Sequence, residues 1–163
     1  MPRLPRPVRD ALHLPRGERT LAHAATRGGS HVIATPLALY VPDGEGGFSR
    51  LPWEQVLQVS WREEWLHVTG DDGEHHLRLT EPGTVPEVVH ERVTATVVVS
   101  RHYSLPGGGV RIVGRRPPRS RPSAARDELL WSMVFDDGLD PADPGRQAQA
   151  EQLLEALRRQ TGL

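Results

Sequence analysis

The chain has 163 residues, a length that fits one domain, or one domain with an appendage, and can bury a core without staples. Hydrophobic residues make up 37% and charged residues 25%, and no window approaches the ~18 consecutive apolar residues of a membrane span. These values exclude a helical membrane protein, a coiled coil and a fully disordered chain. Twenty basic residues face 21 acidic ones, a formal net charge of −1.

Every basic residue is Arg, and the chain has neither Lys nor Asn. That bias is the one expected of a high-GC bacterial genome, so Arg richness carries little meaning by itself. The absence of Cys excludes disulfides, thiol catalysis and Cys-based zinc sites. The start, Met1-Pro2-Arg3-Leu4-Pro5-Arg6-Pro7, lacks the apolar run of a secretory signal, and the cytoplasm is the expected compartment. Charge is uneven along the chain. Residues 43–91 carry eleven acids and three Arg, residues 101–126 seven Arg and no acid, and residues 136–163 six acids and three Arg.

Residues 1–16, rich in Pro and Arg, read as a tail with one short turn at 8–13. Residues 17–95 read as a β-rich unit. Strands are predicted over 19–26, over 31–41 with Pro36 in the middle, and over 48–51. Residues 55–61 alternate, with Leu57, Val59 and Trp61 on one face. Residues 65–70 and 74–80 form a predicted hairpin around Asp71-Asp72-Gly73. Pairing Leu66 with Leu77 places Leu66, Val68, Leu77 and Leu79 toward the core, and Trp65, His67, His76 and Arg78 on the other face. A helix is predicted over 86–94, with Thr84 as N-cap and Glu87 in the first turn.

Residues 96–163 then read as a hairpin, a strand and a helix, in the same domain or a second one. Strands are predicted over 95–103 and 110–115, joined by a Pro106-Gly107-Gly108-Gly109 loop. Residues 117–123 read as a low-complexity loop. Residues 128–135 read as a strand with Leu129, Trp131, Met133 and Phe135 on one face. Asp140 and Asp143 are helix-start signals. Ala150, Leu153, Leu154 and Leu157 form the stripe of an amphipathic helix. The fold class is α+β.

The order of elements over residues 17–95 resembles bacterial PH-like and GRAM-like small domains. The resemblance rests on Gly17-Glu18 opening the first strand, on Thr35-Pro36-Leu37-Ala38-Leu39 in the next, and on Leu51-Pro52-Trp53-Glu54-Gln55-Val56 leading into a later strand. It implies a strand-rich, partly open barrel with a capping helix, used to bind proteins, peptides or lipids. Phosphoinositide-binding members use a basic loop between the first two strands. Here that loop is Arg27-Gly28-Gly29-Ser30, with one cation, so phosphoinositide binding is not implied.

No catalytic motif survives inspection. Gly107-Gly108-Gly109 lacks the Lys-Ser/Thr of a phosphate loop and precedes a strand. His67 and His76 are cross-strand neighbours, but a zinc site needs a third ligand, and nothing in the spacing demands Glu74 or His23. The acidic run at 136–143 lacks calcium-loop spacing. Glu63 and Glu64, on a predicted strand edge, would point to opposite faces. No metal or cofactor is expected.

The chain therefore reads as a non-enzymatic binding or adaptor module, with a protein partner or self-association as its contact. Its candidate binding residues are Trp65, His67 and Arg78 on the sheet face, and Arg111, Arg115, Arg116, Arg119 and Arg121 on an Arg-rich arm. The alternative is a nucleic-acid-associated protein tracking phosphates with that arm. A further alternative is a hydrolase built from scattered His and carboxylates. Trp53, Trp61 and Trp131 fit core positions. Trp65 falls on the opposite face, where it is expected under the C-terminal helix, or else marks a binding patch.

Overall fold

The computed structural model describes residues 3–118 and 129–162. They form two compact units, with Thr96 closing the first and Val97 opening the second.

The first unit begins with helix α1 (Arg6–Leu12). A four-stranded antiparallel meander follows: β1 (Ala22–Ala25), β2 (His31–Ala34), β3 (Ala38–Pro42) and β4 (Phe48–Pro52). A single 3-10 turn over Trp53–Gln55 leads into a three-stranded meander of β5 (Val56–Arg62), β6 (Trp65–Gly70) and β7 (Gly73–Arg78). Helix α2 (Val85–Ala95) completes the unit. The two sheets are stitched where Thr26 meets Leu79, with Arg27 N–H donating to Arg78 O at 2.9 Å and Thr80 N–H to Ala25 O at 3.1 Å. Among the described residues the strands close no barrel.

The core of this unit lies where α2 meets both sheets. Val85, Val89 and Val93 recur every four residues along α2 and are buried with Leu39, Val41, Trp53, Leu66, Val68 and Leu79. Val is a mediocre helix former, and burial of this stripe outweighs the propensity. Thr84 stands at the N-cap position without a side-chain cap bond, contrary to expectation. Pro82 instead supplies a carbonyl to Val85 N–H at 3.1 Å.

Three sequence expectations need correction. Residues 31–41 are not one strand but a hairpin, with Ile33 opposite Tyr40 and Ala34 opposite Leu39. Pro36 falls in the turn, where its missing N–H costs no ladder bond. Residues 3–16 of the expected 1–16 tail are not bare. Leu4 and Leu12 are buried with Ile33, Ala38 and Tyr40, and Val8, Leu14 and Phe48 pack around them. The outer face of the four-stranded sheet is apolar at these positions, and the N-terminal segment covers it. Glu63 and Glu64 are not on a strand edge. They are the two-residue loop between Arg62 and Trp65, at φ 49° and 71°. That loop wants Asn-Gly, and the chain has no Asn to use.

The second unit is an antiparallel sheet of β8 (Val97–Leu105), β9 (Gly108–Arg115) and β10 (Leu130–Phe135), with β9 central, followed by α3 (Pro144–Thr161). Only Pro106 and Gly107 (φ 85°) form the β8–β9 turn, so Gly108 and Gly109 belong to the strand. The expected face of Leu129, Trp131, Met133 and Phe135 does not emerge as a buried row, because burial in β10 does not alternate. Asp143 caps α3, accepting from Gly145 and Arg146 N–H at 3.0 and 3.2 Å. Ala150 and Leu157 of its stripe are buried, and Leu153 and Leu154 are half-buried.

Two stability predictions follow from the first unit, each read by urea denaturation. Leu12→Ala should cost about 2 kcal/mol, as for a buried leucine. A loss below ~0.5 kcal/mol, the surface value, would restore the tail. Replacing Glu63-Glu64 by Asn-Gly should stabilise the chain by about 1 kcal/mol by relieving two left-handed residues. A loss of stability would contradict the turn geometry.

Candidate functional site

The β5–β6–β7 sheet has one dry face and one wet face because its side chains alternate. Leu66 and Val68 point inward and are buried. The intervening residues point outward. Register sets Trp65 opposite Arg78 and His67 opposite His76. On the other side of β6, Arg62 stands opposite Trp65 and Ser60 opposite His67.

This outward face is where the sequence placed Trp65, His67 and Arg78, and the structure brings the three together. Trp65 is 38% exposed and stacks on His67, with ring centroids 6.2 Å apart and planes at 22°. That exposure corrects the expectation of a buried Trp65. The rings of His67 and His76 meet edge to face at 4.8 Å, and their Nδ1 atoms are 2.5 Å apart. The Arg78 guanidinium bonds the Glu64 carboxylate through Nε and Nη2, both at 3.2 Å. That pair is exposed and contributes little stability, but it holds a cation next to Trp65. A shallow groove of about 300 Å³ runs beside the rings, lined by Gln58, Val59, Ser60, His67 and Thr69. Trp61 was expected in the core and is 39% exposed. It sits opposite Leu66, one pair from the turn.

The Arg-rich arm is not one exposed row. Arg111 is exposed and donates to Ser100 Oγ at 3.1 Å. Arg115 is buried, and desolvation lowers its pKa. Arg116 is half-buried, and Arg119 and Arg121 lie outside the described residues.

The sequence reading missed two features. In the second unit His102 bonds Asp136, with Nε2 2.9 Å from Oδ1. The glycine run makes room for it: a Cβ at Gly109 would lie 2.5 Å from the His102 ring. In the first unit, a cleft of about 480 Å³ is lined by Arg3, Pro5, His23, Ala24, Ala25, His31, Glu81, Gly83 and Thr84. His23 faces His31 there, with centroids 6.4 Å apart. Burial first, and the nearby His23 second, push the His31 pKa below its ordinary value. Neither grouping was visible in spacing, because the residues meet only through register and the path of the N-terminal segment. Among the described residues no three His, Asp or Glu side chains gather as a metal cluster.

The chain matches no family model, no curated protein and no solved structure. No helix among the described residues is long and apolar enough to cross a membrane.

The lowered His31 pKa sets a direction for stability against pH. The unfolded chain takes up this proton near pH ~6.5, before the folded one does. The stability tied to neutral His31 is present above that value and is lost as pH falls below it. Urea midpoints measured from pH 8 to 5 should therefore fall more steeply for the parent than for His31→Gln. Equal slopes would show that His31 is not held neutral.

Proposed function

We propose that this chain is a non-enzymatic binding module of the bacterial cytoplasm that meets a protein partner with the outward face of its β5–β6–β7 sheet. The observation that carries this reading is Trp65, a large aromatic left 38% exposed on a rigid strand and stacked on His67. Arg62 and Arg78 are its cross-strand neighbours. Aromatic and Arg side chains held on a rigid element are the residue types enriched in binding hot spots. Further support comes from the order of elements over residues 17–95, a strand meander closed by a helix. It is the order on which the resemblance to PH-like domains, used for binding, is read from the sequence.

The nucleic-acid reading draws less support, because a phosphate-tracking row cannot include the buried Arg115. The hydrolase reading, a site of scattered His and carboxylates, has only the cleft that gathers His23, His31 and Glu81 to rest on.

A photoreactive side chain placed at Gln58 or Ser60 of the full chain, in its native cells, tests the proposal. Illumination should give a discrete, nuclease-resistant protein adduct. Trp65→Ala should cut partner affinity about thirtyfold, the ~2 kcal/mol of a hot spot. Adducts formed only from Arg111, or adducts indifferent to Trp65→Ala, would contradict it.

A further inference from the structure

We propose that His67 and His76 form a cross-strand, two-imidazole chelate for a late first-row divalent metal ion, with copper(II) held most tightly. The inference is independent of what docks on this face.

The geometry is set by backbone register before any ion arrives. His67 and His76 are direct partners on β6 and β7, which are joined by a short turn between Gly70 and Gly73. Their Nδ1 atoms approach to 2.5 Å, so a small opening of the two rings lets both nitrogens reach one ion at the usual ~2 Å bond length. With no ion present, one Nδ1–H donates to the other Nδ1. A metal ion displaces that proton, which passes through solvent to Nε2 of the same ring, and both neutral rings then donate to the metal through Nδ1. The site is open to water: the side chain of His76 is 51% exposed.

The surroundings hold the rings rather than compete for the ion. Trp65 stacks on His67. The Glu74 carboxylate lies 3.4 Å from His76 Nε2, the nitrogen that faces away from the shared point. A carboxylate beside the outer nitrogen favours the tautomer that carries its proton there and leaves Nδ1 free to ligate. The other histidines are less suited. His75 and His102 are each engaged by an aspartate, Asp72 and Asp136. His23 and His31 stand farther apart, at 6.4 Å between centroids.

Imidazole suits copper, nickel and zinc, and affinity follows the order that peaks at copper(II). Two protein ligands leave the remaining positions to water. The ion is therefore exchangeable and not a structural staple.

Calorimetric titration of the full chain with copper(II), in a weakly coordinating buffer, tests the proposal. The parent should bind one tight equivalent. His67→Thr, His76→Thr and the double variant should each weaken that event by about tenfold or more, and to the same extent, because a chelate fails when either arm is lost. His102→Thr should leave it unchanged. Zinc should repeat the pattern more weakly. In the parent, substoichiometric copper should first broaden the amide resonances of residues 65–69 and 74–78, a readout that needs no variant. Variants that hold copper as tightly as the parent, a loss in only one of the two, or broadening that starts at His23, His31 or His102 would each overturn the proposal.

Discussion

Burying the indole of Trp53 commits its N–H to a partner inside the first unit. The ring is fully buried, and Nε1–H donates to the carbonyl of Thr35 at 2.8 Å. That bond ties the crossover between the two sheets to the turn between β2 and β3. Thr35 is itself fully buried, and its hydroxyl accepts from Leu37 and Ala38 N–H at 3.2 and 3.1 Å. The same hydroxyl donates to the carboxylate of Glu18. Glu18 has 1% of its side chain exposed, accepts from Tyr40 O–H at 3.2 Å and lies 3.8 Å from an Arg50 nitrogen. A buried carboxylate is tolerated only with such partners. One polar chain thus runs from Arg50 through Glu18 and Thr35 to Trp53. It holds the four-stranded meander in register and sets where β5 begins.

That starting point decides which side of the β5–β6–β7 sheet is wet. Side chains alternate with period two, so a slip of one residue would bury His67 and expose Leu66 and Val68. The proposed contact face is in this sense a product of core packing. Its rigidity comes from the buried residues beneath it, and its chemistry from what alternation leaves outside. A binding surface on a rigid strand loses little entropy when a partner docks.

Much of the first unit was legible because its signals are local. The Leu66–Leu77 pairing, and with it the face carrying Trp65, His67, His76 and Arg78, follows from alternation and from one Asp-Asp-Gly turn. In the second unit, the stripe of α3 follows from helical spacing and the Asp143 cap. The readings that failed depended on contacts distant in sequence. Leu4 and Leu12 look too sparse to anchor anything until Ile33, Ala38 and Tyr40 present an apolar sheet face to them. Pro36 looks like an irregularity in one strand until Trp53 claims the Thr35 carbonyl and a hairpin forms. Glu63 and Glu64 disguise a tight turn, since glutamate is an uncommon choice for left-handed backbone. The His23–His31 cleft had no signal at all, because the N-terminal segment helps to line it.

The first unit depends on the Trp53–Thr35 bond, and indole hydrogen exchange reads that bond directly. In the folded full chain, with all four indole N–H resonances assigned, the Trp53 proton should exchange slowest, through global unfolding only. The indoles of Trp61 and Trp65, both more than a third exposed, serve as fast internal references. A Trp53 proton that exchanges as quickly as that of Trp65 would show that the crossover is not anchored, and the proposed face would lose its foundation.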